Sequence, residues 1–170
     1  MNARGPAVEP DRAPADGYAR RIDLPNAAAT TALGAALAPH LRRGDLLALG
    51  GDLGAGKTTL ARGLIRALGY RGPVPSPTFT LVQHYETDPA PVWHFDLYRL
   101  GASDEVIELG IEDAFADGIC LIEWPDRLGS WLPAQRIEVH LSDAENGTSR
   151  QLRLHAVGEA ADTKRWQNPW

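Results

Sequence analysis

The sequence predicts an α/β fold: a central mixed sheet, parallel around a phosphate-binding loop and extended by antiparallel strands, with helices flanking it. Three observations carry this reading. Residues Gly51–Thr59 (GDLGAGKTT) fit the pattern G-x-x-x-x-G-K-[ST], with an apolar run before them and a helical pattern after. The runs Leu46–Leu49 and Ile119–Ile122 are short and continuously apolar, as in strands buried on both faces of a parallel sheet. Two pairs of strand-like segments, one joined by a turn around Asp88-Pro89 and one by Asn146-Gly147, read as hairpins.

Taken in order, residues 1–18 are rich in Ala, Pro, Gly, Asp and Arg and read as a flexible tail. Arg20–Leu24 reads as an edge strand. Asn26 is placed to cap a helix carrying Leu33, Leu37 and Leu41 at four-residue spacing, which Gly44 ends. Asp45–Gly50 is the strand into the phosphate loop. The helix from Lys57 carries Leu60, Leu64 and Leu68 and stops at Gly69. Three prolines within Gly72–Pro77 make that stretch a loop. Thr78–Glu86 and Val92–Leu97 follow as strands. Ser103 is placed to cap a helix through Leu109, and Gly110 separates a second piece, Ile111–Phe115. Ile119–Ile122 is a buried strand ending in Glu123. Arg136–Leu141 and Gln151–Ala156 close the sheet. The expected organisation is one domain over 19–157, between the tail at 1–18 and an irregular tail at 158–170.

Bulk properties narrow the function. The chain has 170 residues and a formal net charge of −5, which argues against a broad basic footprint for DNA or RNA. The first eighteen residues lack the apolar centre of a secretory signal, and no apolar stretch reaches membrane-spanning length. A single cysteine, Cys120, can form no internal disulfide, which fits a reducing compartment; it reads as a small core residue rather than a nucleophile. A soluble, cytoplasmic protein is the expectation. Lys57 and Lys164 are the only lysines, so a lysine inside the loop is not background composition.

The chemistry follows from residue types. Glycines let the loop curl until successive N–H groups face phosphate oxygens, and the helix N-terminus adds the positive end of its dipole. Lys57 can reach the β- and γ-phosphates, and the Thr58 hydroxyl can ligate Mg²⁺. A partner carboxylate is expected at the end of a neighbouring buried strand; Glu123 has that address, the alternative being a strand-end glutamate facing water. In His94–Arg99, strand alternation puts His94, Asp96 and Tyr98 on one face and Trp93, Phe95 and Leu97 on the other. That polar face is either a site, with Asp96 orienting water or a metal's hydration shell and His94 acting as proton shuttle or structural donor, or a solvated hairpin face. Ser76-Pro77-Thr78 is either a connecting loop or one that brings hydroxyls to the γ-phosphate. Residues 103–126 hold eight acidic side chains and no basic one, a solvated face or a dock for a basic partner.

Gly51–Thr59, Ser76-Pro77-Thr78-Phe79, His94–Arg99, Glu108-Leu109-Gly110 and Leu121–Pro125 occur in this order, and together they resemble the TsaE family of bacterial ATPases over roughly residues 20–135. The resemblance implies a P-loop NTPase fold with a mixed sheet. It implies that Gly51, Asp52, Leu53, Gly54, Ala55, Gly56, Lys57, Thr58 and Thr59 bind ATP, with Ser76, Thr78 and Trp124 beside it. It implies Mg²⁺ held by Thr58 and Glu123, and catalysis resting on Asp96, Lys57 and Glu123. The partners it implies are the TsaD and TsaB proteins, which carry out threonylcarbamoylation of adenosine 37 of tRNA; tRNA would be met only through that complex. The segments before residue 19 and after about 140 match no feature of the family.

A reading of a different class stands beside the ATPase: a nucleotide-gated docking subunit in which binding matters and turnover is incidental. Two others are weaker. A small-molecule kinase would need a lid of phosphate-binding arginines, whereas only Arg99 and Arg127 are well placed. A GTPase would carry an Asn-Lys-x-Asp stretch, and no Asn-Lys pair occurs.

Overall fold

The computed structural model describes residues 8–9, 19–145, 147–159 and 164–166. The described residues form one eight-stranded sheet: β1 (Val8–Glu9), β2 (Ala19–Leu24), β3 (Leu46–Gly50), β4 (Val82–Tyr85), β5 (Val92–Asp96), β6 (Ile119–Glu123), β7 (Arg136–Asp143) and β8 (Arg150–Val157). Their spatial order is β1-β2-β8-β7-β3-β6-β5-β4. The four central strands β7, β3, β6 and β5 run parallel, and antiparallel pairs extend the sheet at both edges. This is the mixed sheet expected from the sequence, with the phosphate-loop strand β3 between two parallel neighbours.

Strand burial follows the sequence pattern. β3 and β6 are apolar almost throughout and buried on both faces, whereas β7 and β8 alternate and bury one face only. The buried face of the sheet meets helices α1 (Ala27–Leu37) and α2 (Lys57–Ala67), with Leu37, Leu60, Leu64 and Ile65 packed against Leu47, Leu49, Leu121 and Val139. Asn26 caps α1: its Oδ1 accepts from the Ala29 N–H at 2.9 Å. The two helices approach closely enough that a Cβ on Gly34 would stand 2.2 Å from the Leu60 carbonyl oxygen, and one on Gly63 would stand 2.2 Å from that of Thr31. The opposite face is covered by the segment 103–132, including α3 (Ile111–Asp117), around Phe95, Ile122 and Leu128.

The structure redraws several local expectations. Ser103–Leu109 is a run of 3-10 turns, not an α-helix begun by Ser103; the Glu105 carboxylate turns back to accept from the Ala102 N–H at 3.1 Å. The strand expected over Thr78–Glu86 begins only at Val82. Before it, the chain turns, with the Leu81 N–H donating to the Pro77 carbonyl at 2.8 Å and Leu81 itself at φ 64°. Leu41 is buried but lies past the end of α1.

At the ends of the chain, Val8–Glu9 pairs with Arg21 and Ile22, inside the span expected as a flexible tail; the rest of 1–18 lies outside the described residues. Asn146 also lies outside them, although Gly147 is described and turns at φ 66°. Within 158–170, expected as irregular, residues Lys164–Trp166 form a 3-10 turn. Trp166 is fully buried in the α1–α2 core, and the Arg165 guanidinium donates to the Asp45 carboxylate and, at 2.7 Å, to the His40 carbonyl. A large indole and a bidentate ion pair give this segment tertiary contacts that its local sequence does not advertise. Among the described residues, no helix is long and apolar enough to cross a membrane.

Candidate active site

The site lies at the carboxyl ends of β3, β5 and β6, where α2 begins. In an open α/β sheet this is where strands deliver side chains into a cleft and a helix presents free N–H groups. The loop 51–56 makes the connection. Gly51 sits at φ 129°, and a Cβ there would come within 2.3 Å of the Leu141 carbonyl oxygen. Gly56, at φ 106°, turns the chain directly into α2, which starts with no side-chain cap. The first N–H groups of α2 therefore face the cleft unpaired with any side chain, as an anion requires.

Lys57 is 5% exposed and folds back over its own loop. Its ammonium donates to the carbonyls of Gly51 (2.6 Å) and Asp52 (2.8 Å) and lies 4.3 Å from the centroid of the Trp124 ring. Burial lowers the Lys57 pKa, and the nearby carboxylates of Glu123, Asp96 and Asp52 oppose that shift. Trp124 occupies the left-handed region (φ 59°), an uncommon conformation for a bulky residue, immediately after Glu123 and before Pro125. It is held there by its N–H to the Leu49 carbonyl, and Tyr98 packs against its ring at 4.9 Å.

Two carboxylates meet across the sheet. Asp96 ends β5, Glu123 ends β6, and the two are partners in the parallel register. They are 4% and 3% exposed. Like charges directly opposite each other and out of water are unfavourable unless cations or donors compensate. Each has donors here. The Thr58 hydroxyl donates to Glu123 Oε1 at 2.8 Å, and His94 Nε2 approaches the same oxygen at 2.8 Å. Asp96 Oδ2 accepts from the Thr78 hydroxyl at 3.1 Å, and its Oδ1 from the Tyr98 N–H at 3.1 Å. Ser76 Oγ lies 2.7 Å from Thr78 Oγ1, which ties the 76–78 loop to the site.

The cleft is lined by Leu53, Gly54, Gly56, Lys57, Thr58, Thr59, Ser76, Thr78, Asp96, Glu123 and Trp124. Most residues picked from the sequence thus converge. Gly51 and Asp52 face it through carbonyls that hold Lys57, Ala55 is packed inward, and the Leu53 side chain is 77% exposed. The face with His94 and Asp96 is buried rather than solvated, and Tyr98 stands past the strand end. Arg99 is not among the residues lining the cleft; its guanidinium lies 4.4 Å from the centroid of Phe79, which is 81% exposed. The arrangement suits a hard divalent cation beside phosphate, because its donors are a hydroxyl and paired carboxylate oxygens with no thiolate among them.

A second cleft flanks the other side of the loop. Asn26, Thr30, Thr148, Ser149 and Arg150 line it together with Gly54–Gly56 and Thr59. In the sequence Asn26 reads only as a helix cap, and 148–150 carry no functional signal. Nothing local marks them, since they reach the loop through the β2–β8 pairing.

Comparison with known proteins decides the family. The family model described as "Threonylcarbamoyl adenosine biosynthesis protein TsaE" matches residues 24–152. The chain belongs to the TsaE family. A TsaE relative from Haemophilus influenzae, named tRNA threonylcarbamoyladenosine biosynthesis protein, is 45% identical over 111 residues, covering 63% of this chain and 70% of the relative. Its counterpart in Bacillus subtilis is 38% identical over 130 residues, covering 76% and 80%. The crystal structure of Bacillus subtilis YdiB superposes with a TM-score of 0.74 at 31% identity, covering 86% of this chain and 90% of that one. The TsaE fold here is that of a P-loop NTPase, with the sequence-predicted loop at the centre of its sheet.

Proposed function

We propose that this TsaE-family chain acts in tRNA threonylcarbamoyladenosine biosynthesis as an Mg²⁺-dependent ATPase, weak alone, that supports a TsaD–TsaB complex in modifying adenosine 37 of tRNA. The observation that carries the reading is the meeting of Lys57, Thr58, Asp96 and Glu123 at the N-terminus of α2.

The loop and α2 N–H groups would bind the β- and γ-phosphates. The Lys57 ammonium would exchange the Gly51 and Asp52 carbonyls for phosphate oxygens, trading neutral acceptors for charged ones. The burial that lowers its pKa also strengthens its attraction to an anion. The second cleft offers room for base and ribose beside Asn26 and Arg150. Thr58 and Glu123 would hold Mg²⁺, which when bound supplies positive charge against the phosphate oxygens. Asp96 is a buried carboxylate whose oxygens are already oriented by Thr78 and Tyr98. It would accept a hydrogen bond from the attacking water and aim it at the γ-phosphorus, so that the bond to the leaving ADP oxygen breaks. No arginine lines this cleft among the described residues, so partner activation fits a site that lacks a full set of cations.

The test is ATP turnover by the wild type and Asp96→Ala, each with and without TsaD–TsaB. Asp96→Ala should keep ATP affinity within a few-fold and lose turnover by roughly 100-fold or more. Equal turnover in both proteins, or no response to the partners, would reject this reading. Binding and support of tRNA modification without turnover would favour the nucleotide-gated docking alternative.

A further inference from the structure

We infer that His94 is a positioning residue for the metal end of the site: it aims the Glu123 carboxylate at the Thr58 hydroxyl. The inference rests on the proposed Mg²⁺–nucleotide reading. His94 is fully buried on β5, two residues before Asp96 and in register with Leu121 on β6. Its ring reaches diagonally along the sheet to Glu123, the next residue on that face of β6, with Nε2 at 2.8 Å from Oε1. An ionised carboxylate only accepts, so Nε2 carries the hydrogen. The other ring nitrogen, Nδ1, is buried and has no partner among the described residues. A buried imidazole with one nitrogen unused is a costly choice for packing alone, and an apolar ring would fill the same space without that cost. Its one side-chain hydrogen bond among the described residues is to the carboxylate that also accepts from Thr58.

The consequence is directional. Glu123 Oε1 is held from two sides, by Thr58 and by His94, which removes its rotational freedom and leaves Oε2 outside both of these bonds. Donors of this kind behind a metal ligand fix its orientation, and their loss weakens metal binding by roughly 10- to 100-fold. Without the Nε2 donor, Glu123 would be an underpaired buried carboxylate opposite Asp96 and free to leave the Thr58 hydroxyl.

The geometry of substitution separates positioning from packing. Gln places its amide nitrogen near the reach of Nε2, whereas Asn ends near Nδ1 and falls short of Glu123. The experiment is calorimetric titration of β,γ-methylene-ATP into wild type, His94→Gln, His94→Asn and His94→Phe, across a Mg²⁺ series and in EDTA, with thermal unfolding of each. We expect His94→Asn and His94→Phe to need at least ten-fold more Mg²⁺ for half-maximal tightening, with affinity in EDTA unchanged, and His94→Gln to recover most of the loss. The inference is overturned if Asn and Gln variants share one Mg²⁺ dependence, or if the loss appears equally in EDTA. Should His94→Phe fail to fold, the Asn–Gln pair still decides. Absence of any Mg²⁺ effect in the wild type would instead defeat the functional reading on which the inference stands.

Discussion

Lys57 concentrates the chemistry of the site in one ammonium group. It gives up solvent, retains three nearby carboxylates, and satisfies itself on two loop carbonyls. Lys57→Ala should weaken triphosphate binding on the order of 10- to 100-fold, the worth of a charge-assisted hydrogen bond, and abolish turnover. Calorimetry and phosphate release check this, and turnover at the wild-type rate would place the chemistry elsewhere. Cys120 makes the opposite point, since burial pushes its thiol from 9.0 up to about 12. The native state then keeps a proton that the unfolded chain releases above pH 9.0. The thiol's contribution is complete below that pH and is lost as pH rises toward about 12, by about 1.4 kcal/mol per unit. Cys120→Ala lacks this slope, so the stability gap between the two proteins should narrow between pH 8 and pH 10 in urea titrations. Parallel pH dependence would mean that the thiol ionises in the native state.

At the level of elements, the α1–α2 contact positions the phosphate loop, because α2 carries Lys57 and Thr58 on its first turn. The two helices touch backbone to backbone at Gly34 and Gly63. Ala in place of Gly inside a helix normally gains roughly 0.5–1 kcal/mol. At Gly63 the new methyl would meet the Thr31 carbonyl at 2.2 Å, a backbone atom that cannot swing aside. The clash should win, and Gly63→Ala should lose roughly 1–3 kcal/mol in urea unfolding. A neutral or stabilised variant would show that the helices separate freely. The same pairing explains what the sequence reveals and conceals. Leucines at four-residue spacing announce both helices, but only their approach explains glycines inside them. The turn at 78–81 shows the reverse case: β-rich residues suggest a longer strand, and the Thr78–Asp96 bond and the Leu81 turn break it.

For the whole molecule, Trp166 and Arg165 bind the far end of the chain to the start of β3, far in sequence from the site but beneath the same sheet. Trp166→Ala should cost about 3–5 kcal/mol. In a chain of this size that lowers the melting temperature on the order of 10 °C. An unchanged melting curve would put the edge of the packed domain near 157, as the sequence suggests. What the sequence determined by itself was the loop, the helix behind it, the buried strands and Glu123 at a strand end, because each is written in consecutive residues with a fixed period. The ordered motifs also carried the family. Only the tertiary structure decided that Asp96 and Glu123 stand opposite each other, that His94 and Thr58 share one carboxylate oxygen, and that Asn26 and Arg150 flank the loop. Those facts depend on strand order and register, which bring together residues tens of positions apart and leave no local periodicity to read.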